Sequence, residues 1–414
     1  MNKQKSYCLF LAAMAFAACS QERVVNIEVS NPIALARSGE MVEVPMEEVA
    51  ERLRLADTET VVVMDGKNEQ VPYQITYDGK LVFPVSVEPS AKQTYTVQVG
   101  EPGVFEACAC GRVYPERMDD LAWENDKAAY RAYGPALQAK GERAFGYDVF
   151  TKSVSEPVVE ERYRMELDPV VRAQIDSLRK AGKPDEAGEL KKAISYHVDH
   201  GNGMDVYNVG PTLGGGTNAL YVGGEIVYPY CYAEQEILDN GPLRFTARLT
   251  FTPLAVGEDS AVVETRVITL DQGSHLNKTV VTYSNTTAAY PVVAGFVLHD
   301  ADGGLHVESA EKGYIGYADP TNNPTAGHGT IYVGAVFPAA VGEAKVEMFP
   351  ADNTNRMGGY GHLLAFGNYE PDAEFVYYWG SGWSKGGVES MDAWTAYLDA
   401  KAQCVRNPLE VSLR

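Results

Sequence analysis

Between residues 197 and 205 the chain gathers His197, Asp199, His200, Gly201, Asn202, Gly203 and Asp205. Tyr207 follows at once, and a second glycine cluster runs from Gly210 to Thr217. Polar groups collected in one place need partners to be buried without cost, so a run this dense points to binding or proton transfer. A neutral imidazole serves as general base or acid near pH 7, which makes His197 and His200 the first candidates. Gly201 and Gly203 argue against a helix and put both rings on a loop or a strand end. Zinc would need Asp199 or Asp205 as a third ligand, yet His-x-x-His lacks the helical His-Glu-x-x-His pattern of metalloproteases. Asp199, Asn202, Asp205 and backbone oxygens suit calcium better, though not at the spacing of a calcium loop. No cofactor or resident metal is expected.

Three more stretches carry chemistry. Trp123-Glu124-Asn125-Asp126 sets an aromatic face beside two carboxylates and an amide. Its plainer reading is a helix start with Asp126 in the first turn. Arg112, Arg117 and Arg131 fall in the same region, where a guanidinium could take a carboxylate in bidentate fashion. Salt bridges to Glu116, Asp119 or Asp120 are the alternative use. Trp379-Gly-Ser-Gly-Trp383-Ser-Lys385 offers two indoles and a cation near a strand end, or two core tryptophans. His328 and His362, each next to glycine, could reach the same cleft.

These groups need a scaffold, and the chain reads as mainly β. Val24–Ser30, Thr60–Met64, Val71–Tyr77, Lys80–Phe83 and Thr94–Val99 have strand character, and several alternate apolar and polar residues as half-buried strands do. Asp78-Gly79 fits a hairpin turn between two of them. Residues 24–100 are therefore expected to form a small N-terminal β-sandwich, with one short helix at Met46–Leu55. Residues 101–150 are polar, charged and aromatic together, without a clean period. Residues 156–195 form a helical insertion, with helices at Val170–Ala181 and Asp185–Ile194 around Gly182-Lys-Pro184. From 205 onward alternating strands dominate and call for two large packed antiparallel sheets. A final helix spans Ser390–Cys404, with Ser390 and Asp392 suited to its first turn.

The first 19 residues read as a processing signal rather than part of the fold. Lys3 and Lys5 precede a short apolar run, Tyr7 to Phe16, and Phe16-Ala-Ala-Cys19 resembles a bacterial lipoprotein box. The run is too short to span a bilayer. Acylation of Cys19 would tether the protein to a membrane, in the periplasm or at the outer membrane. Cleavage there removes Lys3 and Lys5 and takes the formal charge from −21 to −23. Such an acidic surface disfavours nucleic acid, and an anionic ligand would need a local basic pocket. Cys108, Cys110, Cys231 and Cys404 form neither a disulfide framework nor a metal set, and are read as plain thiols.

Several blocks in order carry a family resemblance. They are Val29-Ser-Asn-Pro32 with Arg37 and Glu43, Pro115-Glu-Arg through Trp123-Glu-Asn-Asp126, and Tyr133-Gly-Pro-Ala. Tyr196-His-x-Asp-His-Gly with Val209-Gly-Pro-Thr-Leu-Gly and Tyr377-Tyr-Trp-Gly-Ser-Gly-Trp-Ser-Lys385 follow. Together they resemble the DUF4861 family of Bacteroidetes lipoproteins, over nearly the whole mature chain. The resemblance implies a galactose-mutarotase-like supersandwich for 101–414 and a place in glycan breakdown. It leaves the reaction open, because that fold serves lyases, epimerases and hydrolases alike. A lyase acting on uronic-acid-containing glycans is the favoured reading. β-Elimination needs a base at C5 and a cation on the neighbouring carboxylate. His197, His200, Tyr207 and Arg131 would be catalytic. Trp123, Glu124, Asn125, Asp199, Trp379, Trp383 and Lys385 would bind the sugar. A glycoside hydrolase pairing Glu124 with Asp199 or Asp205, a sugar epimerase, and a non-catalytic glycan-binding protein are the alternatives.

Overall fold

The computed structural model describes residues 23–351 and 358–414. The candidate signal and Cys19 therefore lie outside the described residues. Among those described, no helix is long and apolar enough to cross a membrane.

The N-terminal unit is a sandwich of two antiparallel sheets. One runs Glu410–Leu413, Val24–Ser30, Lys92–Val99, Val61–Met64, Gln70–Val71, and the other Arg37–Pro45, Lys80–Val87, Gln74–Ile75. Alternation places Val25, Ile27 and Val29 against Val42, Val44, Phe83 and Val97 in one apolar core. Gly79, at φ +74°, supplies the turn that leads into Lys80–Val87. The short helix is Met46–Leu53, buried through Val49 and Leu53. The strand Glu410–Leu413 was not foreseen. It follows the C-terminal helix and returns to pair with Val24–Ser30, so the last residues of the chain complete its first sheet.

The remainder is a β supersandwich. A nine-stranded antiparallel sheet, reaching from Tyr232–Asn240 to His306–Ser309, faces a five-stranded one that centres on Tyr290–Leu298. Asp259–Asp271 alternates buried and partly exposed positions along most of its length, as a strand with one face in the core does. Tyr290–Leu298 is buried at all but one position, because loop and strand residues such as Leu213 and Phe366 cover its outer face.

Residues 101–150, which showed no clean period, build a third element. Four antiparallel strands run in the order Asp148–Phe150, Ala129–Ala132, Asp120–Glu124, Cys110–Tyr114. Trp123 thus sits mid-strand, and the helix-start reading of Trp123–Asp126 is corrected. Alternation in this sheet is strict. Leu121, Trp123, Tyr130, Ala132 and Val149 enter the main core. Ala122, Ala129 and Phe150 face the other way, against Val159, Tyr163 and Tyr196 of the helical insertion. That insertion is Val159–Glu166, Pro169–Lys180 and Pro184–Ile194, with Asp168 capping the second helix through Val170 N and Val171 N. The C-terminal helix is Met391–Arg406, capped by Ser390 on Ala393 N.

Candidate active site

The parity that sends Tyr130 into the core sends Arg131 to the opposite face. Its cross-strand neighbour is Asp148, and Asp120 opens the next strand on the same face. The insertion covers this face and brings Asp205 from the loop that follows it, so Arg131 bonds both Asp148 and Asp205, the latter at 3.2 Å. Asp120 lies 3.7 Å away on the other guanidinium nitrogen. Tyr133 donates to Asp148 at 3.0 Å, and the Tyr196 hydroxyl accepts from Arg117 and from Arg131. Two guanidiniums and three carboxyls are thus packed together, with Asp120, Arg131, Asp148 and Asp205 all buried.

Charge counting shows what this arrangement requires. With every group ionised the cluster would carry one excess negative charge in a water-poor site, a state that burial penalises. Holding one proton balances it. Burial pushes the Asp205 carboxyl up to about 7, and the Asp148 charge adds to that against the pull of Arg131 and His197. Burial also raises Asp120 to about 6, opposed by Arg131 and Arg117. One Asp120 oxygen has no hydrogen-bond partner, as a carboxyl short of donors would.

The loop Ser195–Gly214 is stitched in place. Asp205 N donates to Tyr196 O, Thr151 N to Met204 O, and Asn322 N to Val206 O, each at 2.9 Å. Gly203, at φ +97°, passes so close to Thr151 that a Cβ would lie 2.2 Å from its carbonyl oxygen. His197 emerges from this frame with its side chain half exposed. Its Nδ1 lies 2.8 Å from the Asp205 carbonyl oxygen. A carbonyl only accepts, so in the neutral ring Nδ1 carries the proton and Nε2 presents a lone pair. His200 shows the converse arrangement, with Nε2 3.0 Å from the Ser195 carbonyl oxygen. Arg117 and His197 both lie against the Tyr196 ring, at 5.6 Å and 4.4 Å. Among the described residues no carboxylate comes within salt-bridge distance of Arg117, whereas Arg112 is taken by Glu116 and Glu160.

Of the residues expected from sequence, Arg131, His197 and His200 come to this region. The others are placed differently, each for a physical reason. Trp123 and Trp379 have no exposed surface and pack in the core, where Trp123 bonds Asn277 and Trp379 stacks on Tyr147. Neither can offer a face to a ring. Trp383 is buried against the His328 carbonyl, and Lys385 beside it is exposed but donates to Gly327 O. His362 is buried and accepts from Leu213 N. Tyr207 is buried, with its hydroxyl on Gly214 O. Glu124 accepts from Lys152 and from Val158 N and Val159 N, where it caps an insertion helix. It is therefore fully engaged and cannot act as a hydrolase carboxylate. Asn125 closes a turn with both ends of its amide bonded. Asp199 caps Gly201 N and Gly203 N. Asn202 faces Arg162 and Asp205 faces Arg131, so these side chains do not form a calcium site. Among the described residues no group of three His, Cys, Asp or Glu is arranged to hold a metal. The four described cysteines are free thiols.

Sequence reasoning missed Asp148, Tyr133 and Tyr196 as parts of the cluster, and named Asp120 only as a salt-bridge partner for the arginines, a place it takes beside Arg131. One signal was available: Asp148 stands alone in the otherwise apolar run Phe145-Gly-Tyr-Asp-Val-Phe150, where a charge needs a buried partner.

The fold has solved counterparts. A protein in glycosyl hydrolase family 38 from Enterococcus faecalis superposes with a TM-score of 0.51 at 11% identity, over 95% of this chain and 48% of that one. An alpha-mannosidase from Enterococcus faecalis V583 gives a TM-score of 0.46 at 11% identity, over 95% and 46%. The chain spans about half the length of these structures. In sequence it is 25% identical over 422 residues to uncharacterized protein P7 of Formosa agariphila, covering 97% of each. The family described as domain of unknown function DUF4861 matches residues 29–411, and the chain belongs to that family.

Proposed function

We propose that the protein is carbohydrate-active and cleaves uronic-acid-containing glycans by β-elimination at the Arg117–His197 face of the cluster. One observation carries this reading: a partly buried guanidinium without a carboxylate partner lies against the same tyrosine ring as an imidazole whose tautomer leaves Nε2 free. In a chain of charge −21, an unclaimed Arg at that depth suits an anionic substrate group. Arg117 would neutralise the uronate carboxylate and so acidify the proton at C5. Nε2 of His197 takes that proton, the bond from C4 to the glycosidic oxygen breaks, and the C4–C5 double bond forms. The imidazolium returns the proton to the departing oxygen. Arg131 holds the Tyr196 hydroxyl and the carboxyls in place without touching substrate. The likeness in fold to a glycosyl hydrolase family 38 protein is compatible with a sugar ligand but does not select the reaction.

The test is to incubate the purified protein with uronate-containing oligosaccharides. Ultraviolet absorbance of a conjugated unsaturated uronate is expected, and it should be lost in His197→Ala and in Arg117→Ala. New reducing ends without that absorbance would reject elimination.

Hydrolysis is the second reading, favoured by the raised Asp205 and Asp120 carboxyls, since a carboxyl protonated near neutrality is what a general acid requires. Export and tethering through an acylated Cys19, in the periplasm or at the outer membrane, complete the proposal. Labelling cells with a fatty-acid analogue should mark the wild type and leave Cys19→Ala unmarked.

A further inference from the structure

A cleft of about 550 Å³ opens where the N-terminal sandwich, the outer face of the nine-stranded sheet and the C-terminal helix meet. It shares no lining residue with the Arg131 cluster. Its floor is ordered by strand register: Thr269, Lys278 and Tyr378 are direct cross-strand neighbours on three adjacent strands, so their side chains stand side by side on one face. Lys401 reaches over from the C-terminal helix, with Nζ 5.6 Å from the centre of the Tyr378 ring.

The ionic pairing around this cleft is uneven. Arg244 is held by Glu43 and Asp271, Lys80 by Glu43 and Asp78, and Arg37 by Glu40. Lys278 and Lys401 make no hydrogen bond or ion pair with any described residue, and the Tyr378 hydroxyl makes no hydrogen bond. Lys401 lies over the Tyr378 ring, and Lys278 and the Tyr378 hydroxyl line the same cleft without a described hydrogen-bond or ion-pair partner. Glu40 and Asp271 keep lone pairs that can accept hydroxyl groups, while Val267, Val280 and Leu276 give apolar wall. Five basic and five acidic side chains line the cleft, but three of the bases are held in ion pairs, so hydroxyl donors and acceptors, an apolar face and two unpaired ammonium groups are what remain to meet a polyhydroxylated ring that bears a negative group. The volume falls within the usual range for small-ligand sites, and junctions between domains are common places for them.

We propose that this cleft is a second, non-catalytic binding site for an anionic sugar, whose carboxylate or sulfate sits between Lys278 and Lys401 and whose ring lies along Tyr378. The proposal goes beyond the elimination reading and stands or falls without it, because no residue is shared between the two sites.

Calorimetric titration of the purified protein with digalacturonate, with a sulfated chondroitin disaccharide and with uncharged lactose tests it. At least one anionic disaccharide should bind in the Arg117→Ala background, where the proposed catalytic face is disabled, and lactose should bind far more weakly. Binding of digalacturonate identifies carboxylate as a sufficient recognised group, and binding of the sulfated disaccharide alone identifies sulfate, because the chondroitin disaccharide carries a carboxylate as well. Lys278→Gln and Lys401→Gln should each weaken binding about tenfold, as loss of one charge-assisted contact does. Added salt should weaken it further. Elimination by the two lysine variants should be unchanged. Lys278 is exposed, so its variant reports on binding even if Lys401→Gln folds poorly. Absence of anionic binding in the Arg117→Ala background, or binding indifferent to Lys278→Gln, overturns the proposal.

Discussion

Asp120→Asn tests the charge count at the centre of the candidate site. Burial raises the Asp120 carboxyl from its ordinary 3.8 to about 6 in the folded protein, with Arg131 and Arg117 pulling the other way. Between those two values the folded state binds a proton that the unfolded state has released. Stability therefore falls as pH rises through the window from about 4 to about 6, and is lower above it. At about 1.4 kcal/mol per pH unit the loss comes to about 3 kcal/mol. An asparagine has the shape of the protonated carboxyl and no charge to release. The variant should match the wild type near pH 4 and exceed it by about 3 kcal/mol at pH 7.5. Its two remaining carboxylates would balance the two guanidiniums without a bound proton. Urea unfolding followed by tryptophan fluorescence isolates the relevant unit, because Trp123, Trp379, Trp383 and Trp394 all lie outside residues 24–100. The same stability difference between wild type and variant at both pH values would refute the reasoning. So would a variant weaker than wild type at pH 7.5, which would mean that attraction to Arg131 and Arg117 outweighs burial.

Two further substitutions separate scaffold from site. Gly203→Ala puts a Cβ 2.2 Å from the Thr151 carbonyl oxygen at φ +97°, and should cost about 2 kcal/mol or more while shifting the His197 loop, so melting point and turnover fall together. Turnover lost with an unchanged melting point would contradict that coupling. Trp123→Phe removes the donor to Asn277 from a fully buried site and should cost about 3 kcal/mol without changing glycan affinity. An affinity loss at unchanged stability would restore Trp123 as a sugar contact.

Period and punctuation carried much of the architecture. The strands from 205 onward, the Asp78-Gly79 turn, the two later insertion helices and the Ser390 cap follow from local pattern, because one face of each element meets one environment. Residues 101–150 did not yield to that reading, although their alternation is strict in three dimensions. Both faces of that sheet are covered, one by the main core and one by the insertion. Apolar and charged residues are then both buried, and the contrast between inside and outside disappears from the sequence. Aromatic residues misled for a related reason: Trp123 and Trp379 sit among polar and small neighbours in sequence, but their indole nitrogens find Asn277 and Thr279 inside the core.

The same double covering explains why the candidate site was only half legible. His197 and His200 stood out because a loop concentrates its polar residues in sequence. Arg131 and Asp148 sit singly on two strands between apolar residues, Asp120 opens a third directly after Asp119, and a charge on a strand ordinarily marks a solvent face. Here the helical insertion closes over that face and converts three scattered charges into one buried group, with Asp205 delivered by the insertion's own exit loop. The raised carboxyls and the docked insertion are therefore one fact. Without the insertion Asp120 would be hydrated and its carboxyl ordinary, and Arg131 and Asp148 would meet in water rather than in a buried pair. With it, burial raises the Asp205 and Asp120 carboxyls, and Arg117, which has no carboxylate within salt-bridge distance among the described residues, lies at the partly exposed edge of the cluster beside His197. Raised carboxyls and cation are thus set side by side by the packing of helices on a sheet, whichever bond the protein breaks.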